Sequence, residues 1–282
     1  MLGTAAVRPL DARDTLEAFE VIARDPIANC FVGARLHTTG LDQWRLGAEI
    51  WGYPAEGPLE SLCYAGANLV PVEAGPAAIE AFADRCRRQG RRCSSIVGPA
   101  EQVGPLWSLL APHWGPPRAI RAQQPVMATN RPAPTTVPRD HRVRRVRLDE
   151  LETLVPACVA MFTEEVGVSP LIGDGGTLYR ARIRELIATG RALARIDGDR
   201  VIFKTEVGAV TPRVCQLQGV WVNPVMRGRG LSVAGLATVV DLVLGDVAPV
   251  VSLYVNDYNL AARAAYKRVG LTECGTFSSV LF

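Results

Sequence analysis

The stretch Val222-Asn223-Pro224-Val225-Met226-Arg227-Gly228-Arg229-Gly230-Leu231-Ser232 follows an apolar strand pattern and opens a helical one. A strand-to-helix turn of this composition is an anion site in principle. The N–H groups of a first helical turn lack intrahelical acceptors, and the helix dipole favours negative charge there. Gly228 and Gly230 let the backbone take positive φ and approach a pyrophosphate closely. The spacing is not G-x-G-x-x-G, and the G-K-[ST] end of a P-loop is missing. The competing reading is a glycine-rich turn that caps a helix, and the loop alone does not decide between the two.

A second pattern lies around the last helix: Asn259, Ala262, Tyr266, Gly270 and Leu271. Asn259 stands where a strand ends, placed to cap the helix or to touch a ligand. Ala262 permits close approach. Tyr266 is two turns along on roughly the same face, and a phenol there can donate a proton. Each residue alone has an ordinary structural role, as a cap or as half-buried core.

Together the two patterns resemble the GNAT family of acyl-CoA-dependent N-acyltransferases. Arg227-Gly228-Arg229-Gly230 is similar to that family's pyrophosphate loop, Gln/Arg-x-x-Gly-x-Gly/Ala, with Met226 nearer the pattern's start and the first basic or amide residue imperfectly matched. Asn259-x-x-Ala262-x-x-x-Tyr266-x-x-x-Gly270-Leu271 is similar to the family's C-terminal Asn…Ala…Tyr…Gly-Phe motif, with Leu for Phe. The resemblance covers about residues 140–282. The whole chain resembles two-part actinobacterial members with an N-terminal domain of unknown function.

The resemblance implies acetyl-CoA as co-substrate, no metal, and a small-molecule or peptide amine as acceptor. It implies that the strand ending at Val222 and the strand at Val250–Val255 splay. Pantetheine would pair with the backbone of Val220 and Val222 like an added strand. A strand N–H near Trp221 or Val222 would stabilise the oxyanion, and Arg227 to Ser232 would hold the pyrophosphate. Tyr266 would protonate the thiolate. Where many members carry a Glu as base, this strand offers Gln216 and Gln218. The remaining base candidates are Glu206 on the preceding strand, Glu164 and Glu165 after a helix, and the terminal carboxylate of Phe282. For Glu206 a solvent-facing strand position is slightly favoured over a catalytic one.

These residues need a scaffold, and the composition supplies one. The chain has 282 residues, enough for two domains of ordinary size, with 48% hydrophobic and 21% charged residues. The net charge of +3 is too mild to argue for a nucleic-acid or membrane partner. Cys30, Cys63, Cys86, Cys93, Cys158, Cys215 and Cys274 are scattered without a C-x-x-C pair, which argues against a disulfide framework and structural zinc. The first residues have no signal-peptide pattern and no run reaches the ~20 apolar residues of a spanning helix. A cytoplasmic protein is the expectation.

Residues 129–138 contain three prolines and no periodicity, so they read as an extended linker. The expected division is 1–130 as an N-terminal α/β domain, degenerate and GNAT-like, 131–139 as linker, and 140–282 as the GNAT domain. The second half reads β-α-α-β-β-β-α-β-α-β-β, an α/β (α+β) mixed sheet covered by helices. Its elements are a strand within 141–147, helices at 151–162 and 178–188, strands at 192–196, 201–207 and 214–222, a helix at 231–244, a strand at 250–255, a helix at 260–269 and closing strands at 271–282. Asp197-Gly198-Asp199 reads as a hairpin turn. In the first half, strands are expected at 6–10 and at 94–97, a strand or hairpin at 61–72 around Gly66, and helices at 15–23, 77–88 and 103–110. Val7-Arg8-Pro9-Leu10-Asp11 and Val146-Arg147-Leu148-Asp149 open the two halves alike, a trace of duplication. The N-terminal half lacks the glycine loop.

Two other readings compete. The chain could be a CoA-binding regulatory module without turnover, or an assembly protein whose N-terminal half binds a partner, with Arg139–Arg147 as the contact. For that arginine cluster a charged strand edge is the better expectation. Oligomeric state is not legible in the sequence.

Overall fold

The computed structural model describes residues 6–172 and 175–282. By contacts the chain divides into two units. One holds residues up to Val126 together with Tyr254–Asn259 and Glu273–Phe282; the other holds Met127–Leu253 and Leu260–Thr272.

The first unit contains β1 (Arg8–Pro9), α1 (Thr15–Ile22), α2 (Cys30–Thr39), α3 (Gln43–Leu46), β2 (Glu49–Tyr53), β3 (Ser61–Ala65), β4 (Asn68–Val72), α4 (Pro76–Gln89), β5 (Ser95–Pro99), α5 (Ala100–Trp114) and β6 (Ala119–Thr129). Strands β1 to β4 pair antiparallel in sequence order, and β4 meets β5 in parallel only at Asn68–Ser95 and Leu69–Ile96. Alternate strand residues enter opposite cores, because successive side chains of a strand point to opposite faces. Ile50 and Leu62 pack towards α1 and α2, while Trp51 and Cys63 pack towards α4 and α5. The hairpin around Gly66 forms as read from the sequence. Helices α2 and α3 and strands β2 and β6 carry no pattern that was legible.

The second unit contains β7 (Arg144–Arg145), α6 (Leu151–Val166), α7 (Thr177–Ala188), β8 (Ala192–Asp197), β9 (Arg200–Val210), β10 (Cys215–Val222), α8 (Leu231–Asp246), β11 (Val251–Tyr254) and α9 (Leu260–Arg268), while β12 (Thr272–Leu281) belongs past its first residue to the first unit. From β7 to α9 the second unit's element order repeats that of β1 to α5, without a counterpart of α3. Strands β7 to β10 pair antiparallel and β10 meets β11 in parallel. The turn at Gly198, φ 63°, closes the β8–β9 hairpin with Asp197 opposite Arg200. Helix α8 is buried on most faces. Gly235 lets it sit on the sheet, since a Cβ there would lie 2.9 Å from the Phe203 ring.

Three expectations need correction. The strand read at 141–147 shrinks to two residues, because Val143 donates back to Asp140 and the chain enters a 3-10 turn at Leu148–Glu150. The closing strands are one strand of ten residues, since Gly275 stays extended instead of turning. The proline-rich stretch, read as extended, turns where the Val137 N–H donates to the Pro134 carbonyl, and it is clamped. Asp241 of α8 accepts from the Ala133 N–H and from Arg139 Nε at 2.9 Å each, and the Arg139 guanidinium donates to the carbonyls of Ala133, Pro134 and Val137.

The arginine cluster faces its own chain. Arg144 pairs with Glu150, Arg145 with Asp246, Arg147 with Asp149, and buried Arg195 with Asp140 and Asp197. No helix among the described residues is long and apolar enough to cross a membrane.

Candidate active site

Strand β10 parts from β11 almost at once. Cys215 pairs with Val251 and Gln216 with Ser252, and no later residue of β10 pairs with β11 among the described residues. Leu217 to Val222 therefore run on with one edge unmatched by β11, beside the start of α8. On its other edge β10 stays paired with β9 but bulges. Gln218 lies opposite Glu206 and Trp221 opposite Lys204, so three steps on β10 oppose two on β9. Gly219 takes φ 61° in that bulge. A glycine in the left-handed region is what such a bulge requires, and the extra residue leaves a backbone amide outside the ladder.

The loop after β10 is built to present amides. Asn223 caps a 3-10 turn at Pro224–Met226 through its side chain and holds β9 through Nδ2 to the Val201 carbonyl. Gly228 and Gly230 follow with φ 78° and 73°. Among the described residues, the N–H groups of Gly228, Arg229, Gly230, Leu231 and Ser232 have no acceptor. Five consecutive amides at a helix start form a nest for a multiply charged anion. Ideal Cβ atoms at Gly228 and Gly230 would meet nothing of the protein within 4 Å, so these glycines serve conformation and open space rather than internal packing. Arg229 is exposed and makes no ion pair among the described residues.

Arg227 is committed elsewhere. Its guanidinium grips both carboxylate oxygens of Glu164, at 2.8 and 2.7 Å, and donates to the Val222 carbonyl. The Arg227 pairing pulls the Glu164 carboxyl below its usual range, which makes it a poor proton acceptor. Glu165 next to it is exposed, and its charge acts on Tyr266.

Tyr266 is 7% exposed, on α9. Burial pushes its phenol well up, and the Glu165 charge adds to the shift. Helix α9 ends where the Gly270 N–H donates to the Lys267 carbonyl and Gly270 takes φ 95°. Ala262 is half-buried on the same helix. Asn259 directly precedes α9 but groups with the first unit, its N–H bonded to the Asn256 carbonyl. Phe282 also lies in the first unit, where its ring packs on Trp107 and Trp114.

Glu206 is not the solvent-facing residue slightly favoured from the sequence. It is 9% exposed, its Oε1 accepts from Gln218 Nε2 at 2.6 Å, and its Oε2 lies 3.5 Å from Lys204 Nζ. Lys204, one of only two lysines in the chain, is 1% exposed. The alternation of β9 sends Phe203 to α8 and sends Lys204 and Glu206 to the α6–α7 face. There the Lys204 ammonium acts on the Cys158 thiol of α6. A Cβ on Gly219 would lie 2.8 Å from Lys204 Nζ and 3.6 Å from Glu206 Cδ. The bulge and the carboxylate are therefore neighbours, on the face of β10 where Trp221 joins the core of α6 and α7.

The structure thus brings together Glu206, the bulge at Gly219–Trp221 and the parting strands. It ties Glu164 to Arg227. Lys204, Gln218 and Gly219 were missed as site residues. A lysine two positions before a glutamate in an apolar strand was the available signal.

Residues 173–271 match the model of the acetyltransferase (GNAT) family. A GNAT-family domain is thus present over residues 173–271. A domain of unknown function, DUF4081, matches residues 48–154. A search of the curated proteins finds no match. Among solved structures, a Drosophila protein aligns over 98% of this chain and 98% of its own at TM-score 0.66 and 15% identity. A GNAT acetyltransferase from Colwellia psychrerythraea aligns over 98% and 99% at TM-score 0.57 and 12% identity. A tandem GNAT protein from the clavulanic acid biosynthesis pathway aligns over 98% of both chains at TM-score 0.54 and 15% identity. At such identities the likeness concerns the fold, and it extends through both halves of the chain.

In the first unit the corresponding strand-to-helix connection, from β4 to α4, is closed. Only Glu73, Ala74 and Gly75 separate β4 from α4. Pro76 stands at the first helical position and has no N–H to offer. The Ala74 N–H already donates to Gln102 Oε1 at 3.0 Å, and Glu73 is fixed by Asn29 and Ser61.

Proposed function

We propose that the second unit transfers an acetyl group from acetyl-CoA to an amine. The observation that carries this is the run of five unpaired amides, Gly228–Ser232, at the start of α8. They fit a pyrophosphate, with Arg229 as an added positive charge. Pantetheine then lies along the edge of β10 that β11 leaves, and hydrogen-bonds the backbone of Val220 and Val222 as a short added strand.

The thioester carbonyl comes to rest at the bulge, where a strand N–H between Gly219 and Val222 stabilises the developing oxyanion. The acceptor approaches from the α6–α7 face. Its nitrogen lone pair attacks the carbonyl carbon, and Glu206 takes the ammonium proton, directly or through one water. The C–S bond then breaks, and the sulfur leaves with a proton from Tyr266. A buried phenol whose proton is held more tightly than usual stays protonated across the neutral range, as this role demands. Gln218 and Lys204 orient Glu206. Glu164 steadies the loop by holding Arg227, and Glu165 attracts the cationic amine.

The test is calorimetric titration of the full chain with acetyl-CoA, followed by turnover against a panel of small amines and peptide amines. Saturable binding with release of CoA thiol is expected. Saturable binding without turnover on any amine would make the unit a CoA-binding module. No binding would remove the proposal.

A further inference from the structure

The first unit has lost the anion cradle but holds a cavity of its own, about 290 Å³, at the small end of ligand pockets. Three of the chain's five tryptophans line it: Trp44, Trp51 and Trp114. Trp51 is a core residue and Trp114 is half-buried. Trp44 is 97% exposed on α3, which Asp42 caps through the Trp44 and Arg45 N–H groups. A fixed short helix that holds an indole in water at a cavity mouth leaves a large apolar face to be covered.

Two opposite charges share the lining. Glu49 Oε2 accepts from Trp51 Nε1 at 2.6 Å and from Arg85 at 3.2 Å, while Oε1 has no partner among the described residues. Arg85 lies over the Trp51 ring, 4.8 Å from its centroid, so that cation is spent on the wall. The bond from Trp51 holds the Glu49 carboxyl below its usual range. Arg92, also on the lining, is exposed and makes no hydrogen bond or ion pair among the described residues.

We infer that this cavity binds a small free amino acid with an aromatic or large apolar side chain. Its ammonium meets Glu49 Oε1, its carboxylate meets Arg92, and its side chain lies among the indoles with Trp44 closing over it. A cation alone would leave Arg92 without a hydrogen-bond partner, and an anion alone would leave Glu49 Oε1 without one. None of these residues belongs to the GNAT site, so the inference does not depend on acetyl transfer.

L-phenylalanine, phenethylamine and N-acetyl-L-phenylalanine are titrated into the full-length protein, by calorimetry and by tryptophan fluorescence. Phenylalanine should bind saturably, one per chain. Phenethylamine lacks the carboxylate and the N-acetyl compound lacks the ammonium. Each should bind about ten- to a hundredfold more weakly, the worth of one charged hydrogen bond. Glu49→Gln keeps an acceptor for Trp51 and should erase the preference over the N-acetyl compound. Arg92→Met should erase the preference over phenethylamine, and Trp44→Ala should weaken all three ligands. Absence of saturable phenylalanine binding, equal affinity of the three compounds, or unchanged affinities in the three variants would overturn the inference.

Discussion

Replacing Gly228 and Gly230 with alanine separates a phosphate cradle from an ordinary helix cap. Both residues sit at φ above 70°, where an L side chain costs ~1–2 kcal/mol per residue. Nothing of the protein lies within 4 Å of the added methyls, so no clash is added to that cost. The melting temperature should fall by a few degrees per substitution, as ~1 kcal/mol does in a unit of this size. Binding should suffer far more. An alanine that relaxes towards negative φ turns its own N–H and its neighbour's away from the anion. Losing two charged hydrogen bonds, at ~1.5–3 kcal/mol each, weakens acetyl-CoA by ~10²–10⁴-fold. Gly198→Ala is the control, because Gly198 has φ 63° and equally open surroundings in the β8–β9 turn. It should lose similar stability and no affinity. Calorimetry gives the dissociation constants and thermal melts give the stability. Acetyl-CoA at 100 times its Kd should stabilise the wild type by ~2.7 kcal/mol and the double variant hardly at all. Wild-type affinity in the Gly228/Gly230 double variant would refute the cradle.

Tyr266→Phe should lower kcat by ~10²–10⁴-fold with acetyl-CoA affinity nearly kept, read from steady-state rates beside a titration; an unchanged kcat removes Tyr266 as the acid. Glu206→Gln should flatten the acidic limb of the kcat/KM profile and also lower the melting temperature, because the buried Lys204 ammonium loses its carboxylate, and an unchanged limb would pass the role of base to Glu165 or to water. Lys204→Met should change the same limb without a matching change in acetyl-CoA affinity, since Lys204 acts through Glu206. Glu150, whose carboxyl Arg144 pulls from 4.5 down to about 2, contributes stability that is present above pH ~4.5 and is lost as pH falls through about 2. Solvent on Arg144 discounts that contribution to ~1–2 kcal/mol. Glu150→Gln should therefore lower stability at pH 7 and leave it little changed near pH 2 in denaturant titrations.

The second half was legible because its local signals agree with one another. The Asp197-Gly198-Asp199 turn, the apolar run from Leu231 and the Gly270 stop each mark a boundary that the structure keeps within a few residues. The first half hid more. Residues 24–60 carry short helices and a strand whose apolar positions serve two cores, Ile50 facing one and Trp51 the next. A strand buried on both faces shows no alternation, so period counting is blind to it. The arginine stretch was read as a charged strand edge, and Arg144 and Arg145 do form the edge strand β7. Its ion pairs were not legible, because Glu150, Asp246 and Asp241 reach it only through the fold.

The site divides along the same line. What depends on backbone conformation was readable, because glycine is the residue that marks positive φ, at Gly228 and Gly230 as at Gly270. What depends on a strand register was not. Glu206 reads as a lone charge in an apolar strand until the bulge at Gly219 is known. That bulge sets Gln218 opposite Glu206, and the alternation of β9 puts Lys204 on the same face two residues away. The repeat of one element order in both units sharpens the point. Both have a strand, a connection and a helix where an anion could sit, and both start a parallel pair that ends after two residues. In the second unit the connection carries two glycines and free amides. In the first it is cut to three residues, runs straight into Pro76 at the start of α4 and is stopped by Gln102. The architecture is therefore common to both halves, and the capacity to hold a phosphate rests on the few residues that join β10 to α8.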